Sequence, residues 1–182
     1  MSLLQQYVNM DDGKHERKVG RYYASEIGYI RKGYLTPKNY FDKKPIDEQG
    51  AMNILTGIAY EDMLEKMLVA LKKPHQYNPK KEIKIDDFVL VVKPDFVFDN
   101  SILETKAPMK TIEEIPEKWK DQLCVEGIAF EKPVYLGVFG NNFFRRFSIT
   151  TYKYEPEKGR WLEIQEILRS FNKELTKIYG IK

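Results

Sequence analysis

The stretch KPDFVFDNSILETKAP, residues 93–108, decides the fold. Two short apolar runs flank Asp99-Asn100, a dipeptide suited to a two-residue hairpin turn. That turn places Asp95 directly opposite Glu104, on the same face of the sheet. Like charges opposed at about 5 Å destabilise a sheet, so the two carboxylates predict a bound cation between them. Lys106 lies one strand period beyond Glu104 and points to the same face, which predicts a divalent-metal site with an amine beside it.

The composition predicts one globular domain over residues 1–182. The chain is 42% hydrophobic and 31% charged, and no apolar run approaches the ~18 residues of a membrane span, so we expect no membrane partner. The first residues lack the basic and apolar regions of a signal peptide, so we expect a cytoplasmic protein. Cys124 is the single cysteine, which excludes an internal disulfide and a cysteine-only metal site within one chain.

Charge is distributed unevenly along the chain. Residues 1–44 carry nine Lys and Arg against five Asp and Glu, and residues 109–182 carry thirteen against eleven. The middle, residues 45–108, carries eight basic residues against eleven acidic ones. An acidic centre between basic flanks suits a metal site that acts on a polyanion, and ordinary solvated faces are the alternative explanation.

Hydrophobic periodicity and turn residues predict an α/β (α+β) fold with a central mixed sheet flanked by helices. The expected helices are 24–34, 47–73, 111–130 and 157–179, and the expected strands are 82–86, 88–98, 101–107, 133–140 and 143–154. Their core order is αβββαβ. We expect residues 1–20 to be flexible, 21–46 to form a helical and turn segment, 47–140 to form the catalytic core, and 141–182 to add a strand and a helix.

Glu61 falls in the middle of an apolar arc on the long helix, an arc formed by Ile54, Ile58, Leu64 and Leu68. A carboxylate there is costly to bury unless it is paired or bound to a metal, which makes Glu61 a candidate third ligand. The alternative is a glutamate at the helix rim with its carboxylate in water.

The acid-x-Lys triplet alone carries little information, because this chain contains five of them. Only Glu104-Thr105-Lys106 follows an apolar strand and has Pro94-Asp95 upstream across a turn. These residues resemble the signature of the PD-(D/E)XK nuclease superfamily. The spacing Gly57 to Glu61 and the residue Gln122 resemble further motifs of its RecB-like branch. The segment 24–34 resembles the opening helix of CRISPR-associated RecB-like exonucleases and their viral or phage relatives.

The resemblance implies a restriction-endonuclease-like fold and a Mg²⁺- or Mn²⁺-dependent deoxyribonuclease, acting as an exonuclease on DNA ends or single strands. It implies that the metal ligands are Glu61, Asp95, Glu104 and the carbonyl of Thr105. Lys106 would orient the attacking water or stabilise charge, and Gln122 would hold the water or a phosphate. Three departures accompany it. Glu61 replaces a common histidine, Glu126 replaces a common tyrosine, and the four cysteines of an iron–sulfur cluster are missing, so we expect no iron–sulfur cluster.

Basic residues interleaved with aromatic ones are candidates for binding nucleic acid. They are Arg145 and Arg146 among phenylalanines, and Arg21, Arg31 and Lys32 among tyrosines. A basic solvent face over an aromatic core is the alternative for both groups. The competing functions are a structure-selective or restriction-type endonuclease, a catalytically silent nucleic-acid-binding module, and a structural subunit of a larger complex.

Overall fold

The computed structural model describes residues 5–6, 17–42, 46–108, 111–140 and 148–180. The helices and strands in chain order are β1 (Arg21–Tyr23), α1 (Ile27–Arg31), α2 (Glu48–Ala70), β2 (Gln76–Tyr77), β3 (Lys81–Ile85), β4 (Phe88–Val92), β5 (Phe96–Val97), β6 (Ile102–Lys106), α3 (Glu117–Phe130), β7 (Val134–Phe139), β8 (Ile149–Tyr154) and α4 (Lys158–Tyr179). The flexibility expected of residues 1–20 falls mostly outside the described residues, and Arg145 and Arg146 lie wholly outside them.

The hairpin predicted around Asp99-Asn100 is confirmed in its register. Phe96 pairs with Leu103 and Val97 with Ile102 in the antiparallel β5–β6 ladder. The Phe98 amide donates a hydrogen bond to the Ser101 carbonyl and closes the turn. The register therefore places position 95 opposite position 104, as the turn chemistry requires.

The strands form a mixed arrangement in two sheets. One sheet has the order β1-β4-β3, with β1 parallel to β4, and the other has the order β2-β5-β6-β7-β8. The chain passes from β6 through α3 to β7, which pairs parallel to β6, and β8 then pairs antiparallel to β7. This mixed α+β architecture is the predicted fold class. The strands form two sheets instead of the one central sheet expected, and five strands, β2 to β6, lie between α2 and α3 where the αβββαβ order predicts three.

The single strand predicted over 88–98 is wrong in its continuity. The structure has β4 and β5 instead, separated at Lys93-Pro94-Asp95, and the two strands belong to different sheets. Proline has no amide hydrogen to donate to a ladder, so a strand breaks there readily. The break frees Asp95 from regular pairing and leaves it at the junction between the sheets.

The predicted helices differ from the observed ones chiefly at their ends. The helix expected over 24–34 is a 3₁₀ turn, Ala24–Glu26, followed by α1, and Gly33 ends it with a φ of +70°. The helix expected over 111–130 begins only at Glu117, because Pro116 is its extended N-cap residue. The helices α2 and α4 closely match the predicted ranges.

The apolar arc predicted on α2 packs only in part. Tyr60, Leu64 and Leu68 pack on Phe96 and Phe139 of the five-stranded sheet. Ile54, expected on the same arc, is instead exposed. The packed half of α2 is the half that carries Glu61.

The main core surrounds α3, which packs against α1, α4 and strands of both sheets. Helix α4 covers it with Ile164, Leu168, Phe171 and Leu175, the buried part of the predicted stripe. None of the helices in the described ranges is both long enough and apolar enough to cross a membrane.

We predict that Gly28→Ala destabilises the protein by about 1–3 kcal/mol, the usual cost of overpacking a close contact. Helix α1 crosses α3 so tightly at this position that a Cβ on Gly28 would overlap the Lys118 carbonyl. Chemical denaturation of the variant beside Gly159→Ala, where a Cβ meets nothing within 4 Å, measures the effect. Equal stability of the two variants would contradict the close crossing.

Candidate active site

The β5–β6 hairpin brings Asp95 and Glu104 together. The Asp95 amide donates to Glu104 Oε2 at 3.3 Å. The other side of Asp95 is held by Thr105, whose amide and hydroxyl donate to Asp95 Oδ2 at 2.7 and 2.6 Å. The two carboxylates predicted to oppose each other are thus neighbours, and Thr105 fixes the orientation of one of them.

Lys106 and Gln122 both contact the second carboxylate. The Lys106 ammonium forms an ion pair with Glu104 Oε1, and Gln122 Nε2 donates to the same oxygen at 2.6 Å. Glu104 is only 2% exposed, so it needs these donors. The structure therefore joins the strand residues to Gln122 of α3.

Glu126 is a site residue that the sequence reasoning missed. Gln122 Nε2 donates to Glu126 Oε1 at 2.8 Å as well as to Glu104. Glu126 is fully buried, and its Oε2 has no hydrogen-bond partner among the described residues. In the sequence, Glu126 stands out as the one charged residue between Leu123 and Phe130, one helical turn beyond Gln122.

Glu61 reaches the same cluster from α2. Its side chain is half-buried, and burial together with the Glu104 charge raises the pKa of Glu61, while Lys106 and Lys93 lower it. The helix therefore brings a third carboxylate into electrostatic contact with the hairpin.

The remaining pKa shifts follow from burial and from the closeness of the carboxylates to one another. Burial and the Glu104 charge raise the pKa of Asp95 to about 8. Burial, again with Glu104, raises the pKa of Glu126 well above its ordinary value. Burial lowers the pKa of Lys106, but Glu104 and Asp95 raise it by more, so Lys106 keeps its proton.

No protein-family model matches this sequence, and no curated protein matches it. Solved structures are similar in fold. The protein SSO0001 aligns with a TM-score of 0.70 at 14% identity, covering 95% of this chain and 85% of its own. An alkaline exonuclease from Laribacter hongkongensis aligns with a TM-score of 0.62 at 14% identity, and the match covers 87% of this chain and 89% of the exonuclease. A phage-related exonuclease from Haemophilus somnus aligns with a TM-score of 0.57 at 10% identity, and the match covers 94% of this chain and 98% of the exonuclease.

This chain and those two exonucleases share one fold. The match covers most of each chain. At 10–14% identity, the match shows a shared fold only. The chemistry of the site depends on the side chains that are present in this chain.

The donor set of the cluster fits a hard divalent cation. Asp95, Glu104 and Glu61 offer carboxylate oxygens, the ligands that Mg²⁺ and Mn²⁺ prefer. Burial and mutual repulsion raise the pKa values of Glu61 and Asp95, and Glu126 Oε2 has no hydrogen-bond partner among the described residues. A bound cation would favour the charged form of these carboxyls. Among the described residues, no three acidic, histidine or cysteine side chains are gathered tightly enough to hold a metal ion in their present positions.

Three of the predicted nucleic-acid-binding residues, Arg21, Arg31 and Lys32, belong to the described part of the chain and lie outside the cluster. Arg21 donates to Glu82 at 2.7 Å, across the three-stranded sheet. Arg31 donates two hydrogen bonds to Asp121, at 2.7 and 3.0 Å. Lys32 is exposed at the end of α1. The guanidinium groups of Arg21 and Arg31 thus already have carboxylate partners within the protein.

We predict that the metal-free protein loses stability as the pH rises from about 4 to about 8. The folded protein holds a proton on Asp95 up to about pH 8, whereas the unfolded chain releases it near its ordinary pKa of about 4. The folded state then binds more protons than the unfolded state, so its free energy of unfolding falls across this window. Thermal melting in EDTA between pH 5 and 8 measures the decline, which should be shallower for Asp95→Asn. Identical profiles for both proteins would contradict it.

Proposed function

We propose that this protein is a Mg²⁺- or Mn²⁺-dependent deoxyribonuclease of the PD-(D/E)XK superfamily, in its RecB-like branch, and that it degrades DNA from ends or as single strands. The observation that carries the proposal is the cluster of Asp95, Glu104 and Lys106 on one hairpin, joined by Gln122 of α3. The fold shared with two exonucleases supports it.

Each residue has a chemical role in phosphodiester hydrolysis. Glu61, Asp95, Glu104 and the Thr105 carbonyl would hold the cation, which when bound neutralises phosphate charge and lowers the pKa of a water molecule. Thr105 keeps Asp95 oriented through two hydrogen bonds. Gln122 holds Glu104 through one hydrogen bond. Water adds to phosphorus, one ester P–O bond breaks, and the leaving oxygen takes up a proton.

Lys106 acts as an ammonium ion in this scheme. A lysine serves as a general base only if its pKa is lowered, and the carboxylates of Glu104 and Asp95 raise it. A retained positive charge instead stabilises the negative charge that develops on the phosphate oxygens in the transition state. The base that activates water is then a carboxylate or the solvent.

The nuclease assay uses end-labelled single-stranded and duplex DNA, linear and circular, with Mg²⁺, Mn²⁺ or EDTA. We expect the wild type to degrade linear DNA in either metal and to be inactive in EDTA. Lys106→Ala should be at least about 100-fold slower, because charge stabilisation in the transition state is lost.

Lys84→Ala is the matched control. Lys84 belongs to Glu82-Ile83-Lys84, an acid-x-Lys triplet on β3, and it is exposed. This variant should cut as fast as the wild type. Digestion of circular DNA would favour an endonuclease, and binding without cleavage in every metal would favour a silent binding module. Equal cutting by Lys106→Ala would contradict the assigned site.

A further inference from the structure

Tyr77 lies on β2, the edge strand of the five-stranded sheet, next to the carboxylate cluster. It pairs with Phe96, the residue that follows Asp95 in the chain. The two rings are 5.2 Å apart between centroids, at an interplanar angle of 31°. Phe96 is fully buried, so it gives Tyr77 a rigid support on one side.

The hydroxyl end of Tyr77 points toward α2. It lies 3.4 Å from Asp62 Oδ1, and Asp62 adjoins Glu61 in the chain. Burial, followed by the charges of Glu61 and Asp62, raises the pKa of Tyr77 to about 12. The phenol is therefore neutral at ordinary pH, and Tyr77 sits between the two elements that supply carboxylates to the cluster.

Tyr77 remains partly exposed despite these contacts. The residue is 39% exposed, although it faces the same side of the sheet as its buried partner Phe96. The bland explanation is that Tyr77 only closes the small hydrophobic cluster beneath it. An exposed aromatic face fixed beside a candidate phosphate-binding site is, however, the feature that proteins use to stack on a nucleic-acid base.

Lys93 supplies a cation on the same side. It is exposed, it precedes Pro94-Asp95, and it is close enough to Glu61 to lower the pKa of that carboxyl. Within the described part of the chain, its ammonium forms no ion pair within 4 Å. A phosphate next to the one being cleaved would meet this charge.

We propose that Tyr77 stacks on an unpaired base of the strand whose phosphate lies at the carboxylate cluster, with Lys93 contacting a neighbouring phosphate. This contact rests on the nuclease function proposed above. It makes single strands and frayed ends the substrate class of that nuclease. A base inside a duplex has both faces covered by its neighbours, so only an unpaired base can offer its face to Tyr77.

The first test is binding, measured by fluorescence anisotropy with dye-labelled single-stranded DNA in Ca²⁺. Tyr77→Leu keeps apolar bulk but removes the aromatic face, and it should weaken binding about 10-fold. Tyr77→Phe should bind as tightly as the wild type. Tyr179→Leu is the control, because Tyr179 is 41% exposed and contacts another ring, as Tyr77 does, but it lies at the end of α4.

A series of oligonucleotides with one abasic residue moved stepwise tests stacking itself. The wild type should lose affinity when the abasic residue reaches one position, and Tyr77→Leu should not respond at that position. Closure of the hydrophobic cluster alone would not produce this difference. An identical abasic profile in the two proteins, or unchanged binding by Tyr77→Leu, would overturn the proposal.

Cleavage kinetics separate this inference from the nuclease proposal. Tyr77→Leu should raise the KM for single-stranded DNA with little change in kcat, since the reacting groups are intact. Cleavage by Tyr77→Leu with wild-type KM would overturn the role of Tyr77 and leave the nuclease standing. If the abasic series gives the predicted binding profile but no metal-dependent cleavage is seen, the Tyr77 contact is supported and the proposed nuclease function is overturned. Absence of any DNA binding by the wild type would overturn both.

Discussion

Glu104→Gln should abolish metal-dependent DNA cleavage while leaving the protein folded, with a loss of at least about 1,000-fold. Glu104 is the one carboxylate that Lys106, Gln122 and the Asp95 amide all contact. The substitution removes one negative charge without changing the shape of the side chain. A neutral amide oxygen is a much weaker ligand for a divalent cation than a carboxylate oxygen.

The stability of Glu104→Gln separates lost chemistry from lost folding. In the wild type, the negative charge of Glu104 contributes to the raised pKa values of Asp95, Glu61 and Glu126. Removing that charge relieves the repulsion between these carboxylates. In EDTA the variant should therefore melt at the same temperature as the wild type or higher, as expected where stability is sacrificed for activity. Glu82→Gln, from the exposed triplet on β3, should retain full activity. Metal-dependent cleavage by Glu104→Gln at the wild-type rate would contradict the assigned site.

Asp121→Ala should destabilise the protein by about 3–5 kcal/mol, the largest loss of stability that we expect from a single substitution. Asp121 is fully buried in α3 and accepts hydrogen bonds from Arg31 of α1 and Arg160 of α4. Its removal would leave two largely covered guanidinium groups without their shared partner. It would also disconnect three helices that pack together.

Thermal and denaturant unfolding measure the effect of Asp121→Ala, with a fall in Tm of about 10 °C expected for a protein of this size. The control is Glu163→Ala. Glu163 also pairs with Arg31, at 3.2 Å, but its side chain is 64% exposed, so it should contribute less than about 1 kcal/mol. Equal small losses for both variants would show that Asp121 is not the organising charge of this helix cluster.

The local parts of the fold could be predicted from the sequence. The turn dipeptide Asp99-Asn100 and the flanking apolar runs determine the hairpin register, because both signals lie within ten residues. The same register then places Asp95, Glu104 and Lys106 without any knowledge of the rest of the chain. The apolar stripe of α4 was predictable for the same reason, since helical periodicity is a local property.

Features that depend on distant contacts were not predictable. Strands β1 and β2 are too short to show a pattern, and each exists because it pairs with a distant strand. The pairing of Arg31 with Asp121 spans 90 residues, so from the sequence Arg31 indicated only a free cation. Glu126 was missed as a site residue because its burial depends on how α3 packs, not on its neighbours in sequence.

Calorimetric titration with Mn²⁺ at pH 7 tests whether Asp95 and its neighbours form a divalent-cation site. Asp95 has a pKa of about 8 without metal, so binding should release a proton. Titrations in two buffers with different ionisation enthalpies detect that proton. We predict that the wild type binds Mn²⁺ with proton release and that Asp95→Asn binds far more weakly and without it. No Mn²⁺ binding by the wild type, or equal binding by Asp95→Asn, would contradict the account.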